Sequence, residues 1–360
     1  MNKNIDYTKL SWRDIHHGAF LSEGRMIAFP TCFPGASTPI IADESRITAL
    51  AVNSEGDVYG GTSGKATHLF VAMFRGVTGA VFDMGVVKDA DHCVAVCCGN
   101  RGFIACVNGP KGGQIVAQSL QGLPFDLIQE WGFFRPDFEY LGTAAEGERI
   151  VHAVADDSRK TAVGVTDNHL FTIDLDAKRF EIIGNVKGVG KIAANTQGNY
   201  FGLDEGDTLW QFNASEKKLN RRQLALPKAA WRKGNLQWAK NPGNGVLYVA
   251  DDEGRLFAFD EGGGFSECLG QTDLFPIKTM SVTHDGRLFG ACGEEMSHIF
   301  SYHPGRKEIR DLGIALSTIE RRRYGYLFAD SVVGSDGEIF FGEDDDLGHL
   351  WIYFPKIEMA

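Results

Sequence analysis

Short runs of alternating apolar and polar residues recur along the chain, each closed by a polar turn that carries Gly. Alternation of this kind is the signature of a half-buried β-strand, and no long 3.6-residue pattern competes with it. One copy reads Ile47 to Val52, a turn at Asn53 to Gly56, Val58-Tyr59-Gly60-Gly61, then His68-Leu69-Phe70. Another reads Met280-Ser281-Val282, His284-Asp285-Gly286, Leu288-Phe289-Gly290, then His298-Ile299-Phe300. A third reads Ser331-Val332-Val333, Ser335-Asp336-Gly337, Ile339 to Gly342, then His349-Leu350-Trp351. Weaker copies follow the same order and centre on Val94 to Ile104, His152 to Phe171, Ile192 to Trp210 and Trp238 to Phe257.

Seven copies result, starting near residues 46, 90, 148, 189, 234, 276 and 320. A period of about 40–45 residues made of short strands predicts a β-propeller. The last copy supplies strands near Ala329–Val333, Glu338–Glu343 and His349–Phe354 and is one strand short. The apolar segment Met26-Ile27-Ala28-Phe29, ahead of the first copy, can supply it. The expectation is an all-β chain: a single seven-bladed propeller over residues 1–360, closed by an N-terminal strand on the last blade. A WD dipeptide is missing, so this is not a WD40 array.

In a four-stranded blade, the loops between blades and between the second and third strands open on one face. The sequence puts His152, Lys191, Trp238, Lys278 and Asp330 at the starts of first strands there, with Ala49 and His92. Connections between blades add Lys228, Trp231, Arg232 and Lys233, then Arg321, Arg322, Arg323, Tyr324 and Tyr326. The longest connection spans about Gly132 to Glu148 and includes Arg135, Phe138 and Tyr140; long loops on a rigid scaffold carry recognition or are plain insertions. Arg forks suit carboxylate or phosphate, and aromatic faces suit a sugar ring. The alternative for Arg321–Arg323 is a solvated charge run.

His68, His169, His298 and His349 share one repeat position at the start of the third strand. Strands in a sheet are about 4.8 Å apart, so these four stand too far from one another to ligate one metal at about 2.0–2.1 Å. The reading is a repeated structural imidazole bonded to a loop backbone group. His152 and His169, in one blade, could approach a substrate from one side, and Arg255 holds the position where other copies have His. The run Glu343-Asp344-Asp345-Asp346 could hold Ca²⁺ or stay a solvated acidic loop; it lacks EF-hand spacing. No P-loop and no Gly-x-Ser-x-Gly elbow is present.

The tract Val333 to Asp345 followed by Gly348-His349-Leu350-Trp351 resembles repeats of carbohydrate-active seven-bladed propellers, as does Tyr59-Gly60-Gly61-Thr62 with His68-Leu69-Phe70. That group comprises oligogalacturonate, ulvan and rhamnose–glucuronate lyases. The resemblance implies cleavage of a uronic-acid-containing oligosaccharide by β-elimination. It casts His152 as base, His169 as its partner, Tyr324 as acid, and Arg255 or Arg323 as carboxylate clamp. Arg322, Lys191, Trp238, Lys278 and Tyr140 would bind substrate. The metal-binding His cluster of oligogalacturonate lyases has no counterpart here, so no cofactor is required, while a divalent ion such as Ca or Mn stays open. Rival readings are a glycoside hydrolase, which needs two carboxylates at the mouth where only Asp330 is placed, and a binding propeller that catalyses nothing.

Charge and cysteine content narrow the partners. The chain of 360 residues has 36 basic and 47 acidic side chains, a net charge of -11 that argues against a nucleic-acid binder. No apolar run reaches the roughly 20 residues that span a bilayer. An apolar leader is absent from Met1 to Tyr7, and the seven Cys form no disulfide framework. The expected address is cytoplasmic, without membrane or nucleic acid, with the oligomeric state open.

Overall fold

The computed structural model describes residues 21–30, 40–75, 78–100, 102–118, 138–204, 208–222, 236–317, 324–346 and 348–356. These residues form 29 β-strands and one 3-10 turn at Ala42–Glu44, so the chain is all-β as its alternation requires. Pairing within each sheet is antiparallel between consecutive strands. One departure is β1 (Arg25–Pro30), which adds to the last strand of the chain.

Two compact units are present, one of them comprising Pro30–Ala225 and Asp345–His349. In this larger unit the first four strands are β2 (Arg46–Val52), β3 (Val58–Ser63), β4 (Thr67–Arg75) and β5 (Thr78–Val87). The next four are β6 (His92–Cys98), β7 (Phe103–Gly109), β8 (Gly112–Gln118) and β9 (Phe138–Thr143). A single pair, Ser63 with His92, joins these two four-stranded meanders. A third sheet holds β10 (Ile150–Ala155), β11 (Thr161–Thr166), β12 (His169–Asp174) and β13 (Arg179–Asn185). A fourth holds β14 (Val189–Ala194), β15 (Asn199–Asp204), β16 (Thr208–Asn213) and β17 (Lys218–Arg222). First strands pack on first strands: β2 on β6, β6 on β10, and β10 on β14.

Apolar layers fill the spaces between these sheets. Ile104, Cys106, Ile115, Ile150 and Phe171 share one cluster, and Val163, Val165, Leu170, Ile192 and Trp210 share the next. The β10–β13 sheet therefore packs its two faces into different apolar clusters.

The other unit comprises Met1–Phe29, Leu226–Asp344 and Leu350–Ala360. Its first sheet has β18 (Gln237–Lys240), β19 (Leu247–Ala250) and β20 (Arg255–Asp260), with the outer place shared by β21 (Gly264–Phe265) and β22 (Gly270–Gln271). Strands β23 (Ile277–Val282), β24 (Leu288–Cys292), β25 (His298–His303) and β26 (Glu308–Ile314) form the second. The third has β27 (Phe328–Val333), β28 (Ile339–Glu343) and β29 (His349–Phe354), completed on the outside by β1. Met26 and Ala28 of β1 sink into a core with Phe289, Phe341, Trp351 and Tyr353. Here too β18 packs on β23, and β23 on β27.

Two local departures matter for the side chains below. First strands β2, β6, β10, β23 and β27 each carry an irregularity after their first residues, and β14 carries a wider one between Val189 and Ala193. Such bulges re-aim a side chain. The stretch expected as a loop, with Phe138 and Tyr140, is instead the outer strand β9, and the connection to β10 is the short segment 144–149. The sheet needs a fourth strand, and the half-exposed alternation of Phe138 to Thr143 provides it.

Candidate functional site

The expected residues fall into both units. His152, His169, Lys191 and Tyr140 belong to the larger one, and Trp238, Arg255, Lys278, Tyr324 and Asp330 to the smaller. Arg322 and Arg323 lie outside the described residues, as do Arg135, Lys228, Trp231, Arg232, Lys233 and Arg321.

His152 stands on β10, half-buried, beside β14. Its Nδ1 accepts a hydrogen bond from the Ile192 amide at 3.2 Å. With Nδ1 an acceptor, the neutral ring carries its proton on Nε2. Burial, and then the charge of Lys191, push the imidazole down to about 3. His152 is thus a neutral Nε2–H donor next to a lysine. In this arrangement the Nδ1 lone pair is already engaged by the Ile192 amide.

His169 does not join it. Across the sheet, His152 pairs with Val165 and Val165 with Leu170, the residue after His169. Side chains alternate along a strand, so His152 shares a face with Val165 and Leu170, and His169 takes the opposite one. His169 Nδ1 lies 3.0 Å from Glu148 Oε1, off the ring's hydrogen-bonding axis. The Glu148 carboxylate is fixed by the Thr166 hydroxyl and by the backbone and side-chain amides of Asn168. Burial works to raise it, but these bonds and His169 outweigh burial and hold it at about 2. The two imidazoles therefore stand on opposite faces of this sheet: one faces the β14 sheet, the other the Glu148 segment.

The repeated His position is structural in a different way from the one expected. His68 Nδ1 meets Asp83 at 3.1 Å and its Nε2 meets Glu44 at 2.8 Å. His298 Nδ1 meets Asp311 at 2.7 Å. At His68 and His298 side-chain carboxylates are partners, because the fourth strand brings Asp83 and Asp311 to the same relative place. Sequence spacing gave no hint of Glu44, Asp83, Glu148 or Asp311, since register alone aligns them with the imidazoles.

Arg255 is held by its own turn. Its guanidinium makes Nε and terminal contacts to the buried carboxylate of Asp251, the former at 2.7 Å, with Glu253 at 3.6 Å. In this arrangement the fork is engaged by Asp251 rather than open to a substrate carboxylate. Trp238 sits half-buried on β18, edge-on to Phe259 with centroids 6.1 Å apart. Lys278 is the extra residue of the β23 bulge, between Ile277 and Thr279. Tyr324 makes an isolated bridge with Leu316. The Tyr140 hydroxyl accepts from the Lys88 amide at 2.6 Å, tying β9 to the end of the first sheet.

Among the described residues, no group of three His, Cys, Asp or Glu side chains converges as a metal site. Glu343 is not in a loop but ends β28, fully buried. Cys93, Cys97, Cys98, Cys106 and Cys292 are buried thiols. No helix among the described residues is long and apolar enough to cross a membrane.

No protein-family model and no curated protein matches the chain. In structure, 90% of it is similar to an extracellular domain assigned to a one-component system of B. thetaiotaomicron, with a TM-score of 0.56 and 13% identity. The chain spans 39% of that protein's length. At this identity the likeness is one of β-rich fold alone. Some 1430 solved chains match, so the fold recurs too widely to carry an activity with it.

Proposed function

We propose that the chain is a cytoplasmic seven-bladed β-propeller that binds an anionic, uronate-bearing oligosaccharide where its first strands begin. Successive four-stranded sheets with neighbouring first strands, and β1 completing the β27–β29 sheet, support the architecture. The observation that carries the binding reading is the pair His152 and Lys191. A bulged lysine beside an imidazole fixed as a donor offers a cation and an N–H to one carboxylate. In a chain of net charge -11, such a pair is a local exception that attracts anions. Among the chemistries open to this fold, binding without turnover is favoured, since elimination needs a base and the His152 Nδ1 lone pair is taken up by the Ile192 amide.

Calorimetric titration with an oligogalacturonate and with a neutral oligosaccharide of equal length tests this, with ultraviolet absorbance followed in parallel. The acidic sugar should bind and the neutral one should not. Lys191→Ala should weaken binding by about tenfold, which corresponds to about 1.4 kcal/mol. Equal binding of both sugars, or of neither, would overturn the reading. A rise in absorbance would restore elimination.

A further inference from the structure

The four histidines of the repeat position are not equally sealed. The His68 side chain is 9% exposed and that of His298 is 2%, each against a carboxylate of the fourth strand. His349 is also buried. His169 is 30% exposed. Register explains the difference. Asp83 stands opposite Phe70 and Asp311 opposite Phe300, but the same place opposite Phe171 is Ile182, itself 47% exposed. The strand acid that stands beside His68 and His298 is missing here, and an apolar surface takes its place.

On its inner side His169 is well supported. Its amide donates to Thr166 Oγ1 at 2.9 Å, and that hydroxyl donates to Glu148. Because Thr166 and Asn168 hold Glu148, the carboxylate cannot swing away from Nδ1. An anion 3.0 Å from Nδ1 repels a lone pair there and favours a proton. The neutral ring then keeps its lone pair on Nε2.

We propose that Glu148 and His169 form an acceptor site for a neutral, hydroxyl-bearing ligand such as a sugar, with Glu148 the positioning residue and Ile182 the apolar surface. Nε2 accepts the ligand hydroxyl while Ile182 covers a C–H face. The fixed Glu148 charge turns anions away. This site lies on the opposite face of the β10–β13 sheet from His152, and does not rest on the anionic-ligand reading.

Nitrogen-edited NMR of the intact protein tests it at neutral pH. His169 should show a protonated Nδ1 and a bare Nε2, and added glucose should shift its ring signals. Glu148→Gln, whose amide can still accept from Thr166 and Asn168, should weaken the glucose response at least fivefold and move the proton toward Nε2. Ile182→Asp installs the acid found in β5 and β26 and should abolish the response while the fold persists. A proton on Nε2 in the wild type, or ring signals indifferent to glucose, would overturn the proposal. Failure of oligogalacturonate to bind would overturn only the anionic reading.

Discussion

Gly164 lies directly across the strand pair from Phe171, and a Cβ on it would come within 2.2 Å of the aromatic ring. Gly60 with Phe70, Gly202 with Trp210 and Gly290 with Phe300 repeat the relationship between second and third strands. The ring lies flat over a backbone that has no side chain, and the next layer packs on the ring. Gly164→Ala should therefore force Phe171 off its place and cost about 1–3 kcal/mol, the usual range for overpacking. Chemical denaturation checks it; a change under 0.5 kcal/mol would show that the ring can give way.

That repeat explains why so much of the fold is legible in the sequence. A glycine between apolar residues, followed by an aromatic residue in the next run, marks the same strand pair each time. The three strands of the last sheet and the closing strand at Met26–Phe29 stand where alternation put them. The candidate site was less legible, and one residue is responsible. Ile150 pairs with Thr166 and His152 with Val165, so Val151 is extra. In a regular register, with Val151 paired to Val165, His152 would pair with Gly164 and share a face with Thr166 and His169. A one-residue slip turns a side chain to the other face, and nothing in the spacing of the copies reveals it. The Arg255–Asp251 pair closes across a four-residue turn that likewise looks like any other polar loop.

His68 should give the larger unit a stability that fades in alkali. Burial pushes its imidazole down, but the bonds and charges of Asp83, then Glu44, outweigh burial and leave it raised. The folded state holds its proton more tightly than the unfolded chain does. Its contribution is full below the ordinary imidazole range, about 6.5, and is lost as pH rises through the higher folded value. Wild type should exceed His68→Gln by about 1.5–3 kcal/mol in mild acid, the range for hydrogen bonds to charged groups. Denaturation midpoints across pH should show the gap narrowing upward; a gap that widens would reverse the assignment.

The opposite sign is expected of His152. Its folded value, about 3, lies below that of a free imidazole. Between these values the unfolded chain binds a proton that the folded chain refuses, so stability falls as pH drops below about 6.5. His152→Gln can still accept the Ile192 amide and lacks this acid penalty. The advantage of wild type over the variant should shrink on acidification, the reverse of His68. In NMR the His152 ring should not titrate between pH 5 and 8, the ordinary window for imidazole. A midpoint inside that window would undo the donor assignment and bring the ring back as a base.

Arg255 provides the sharpest separation between a structural and a ligand-binding role. Asp251 is 2% exposed, and its carboxylate also caps the turn by accepting the Glu253 and Arg255 amides. Removing the guanidinium leaves a buried anion without its counter-charge, which costs about 3 kcal/mol. Arg255→Ala should therefore destabilise by about that amount and leave oligogalacturonate affinity within twofold. Adding Asp251→Asn removes the stranded charge while keeping an acceptor for the two amides. The double variant should recover more than half of the loss, a coupling that a double-mutant cycle measures. Were Arg255 a substrate clamp instead, the single variant would lose affinity at least tenfold, and Asp251→Asn would restore none of it.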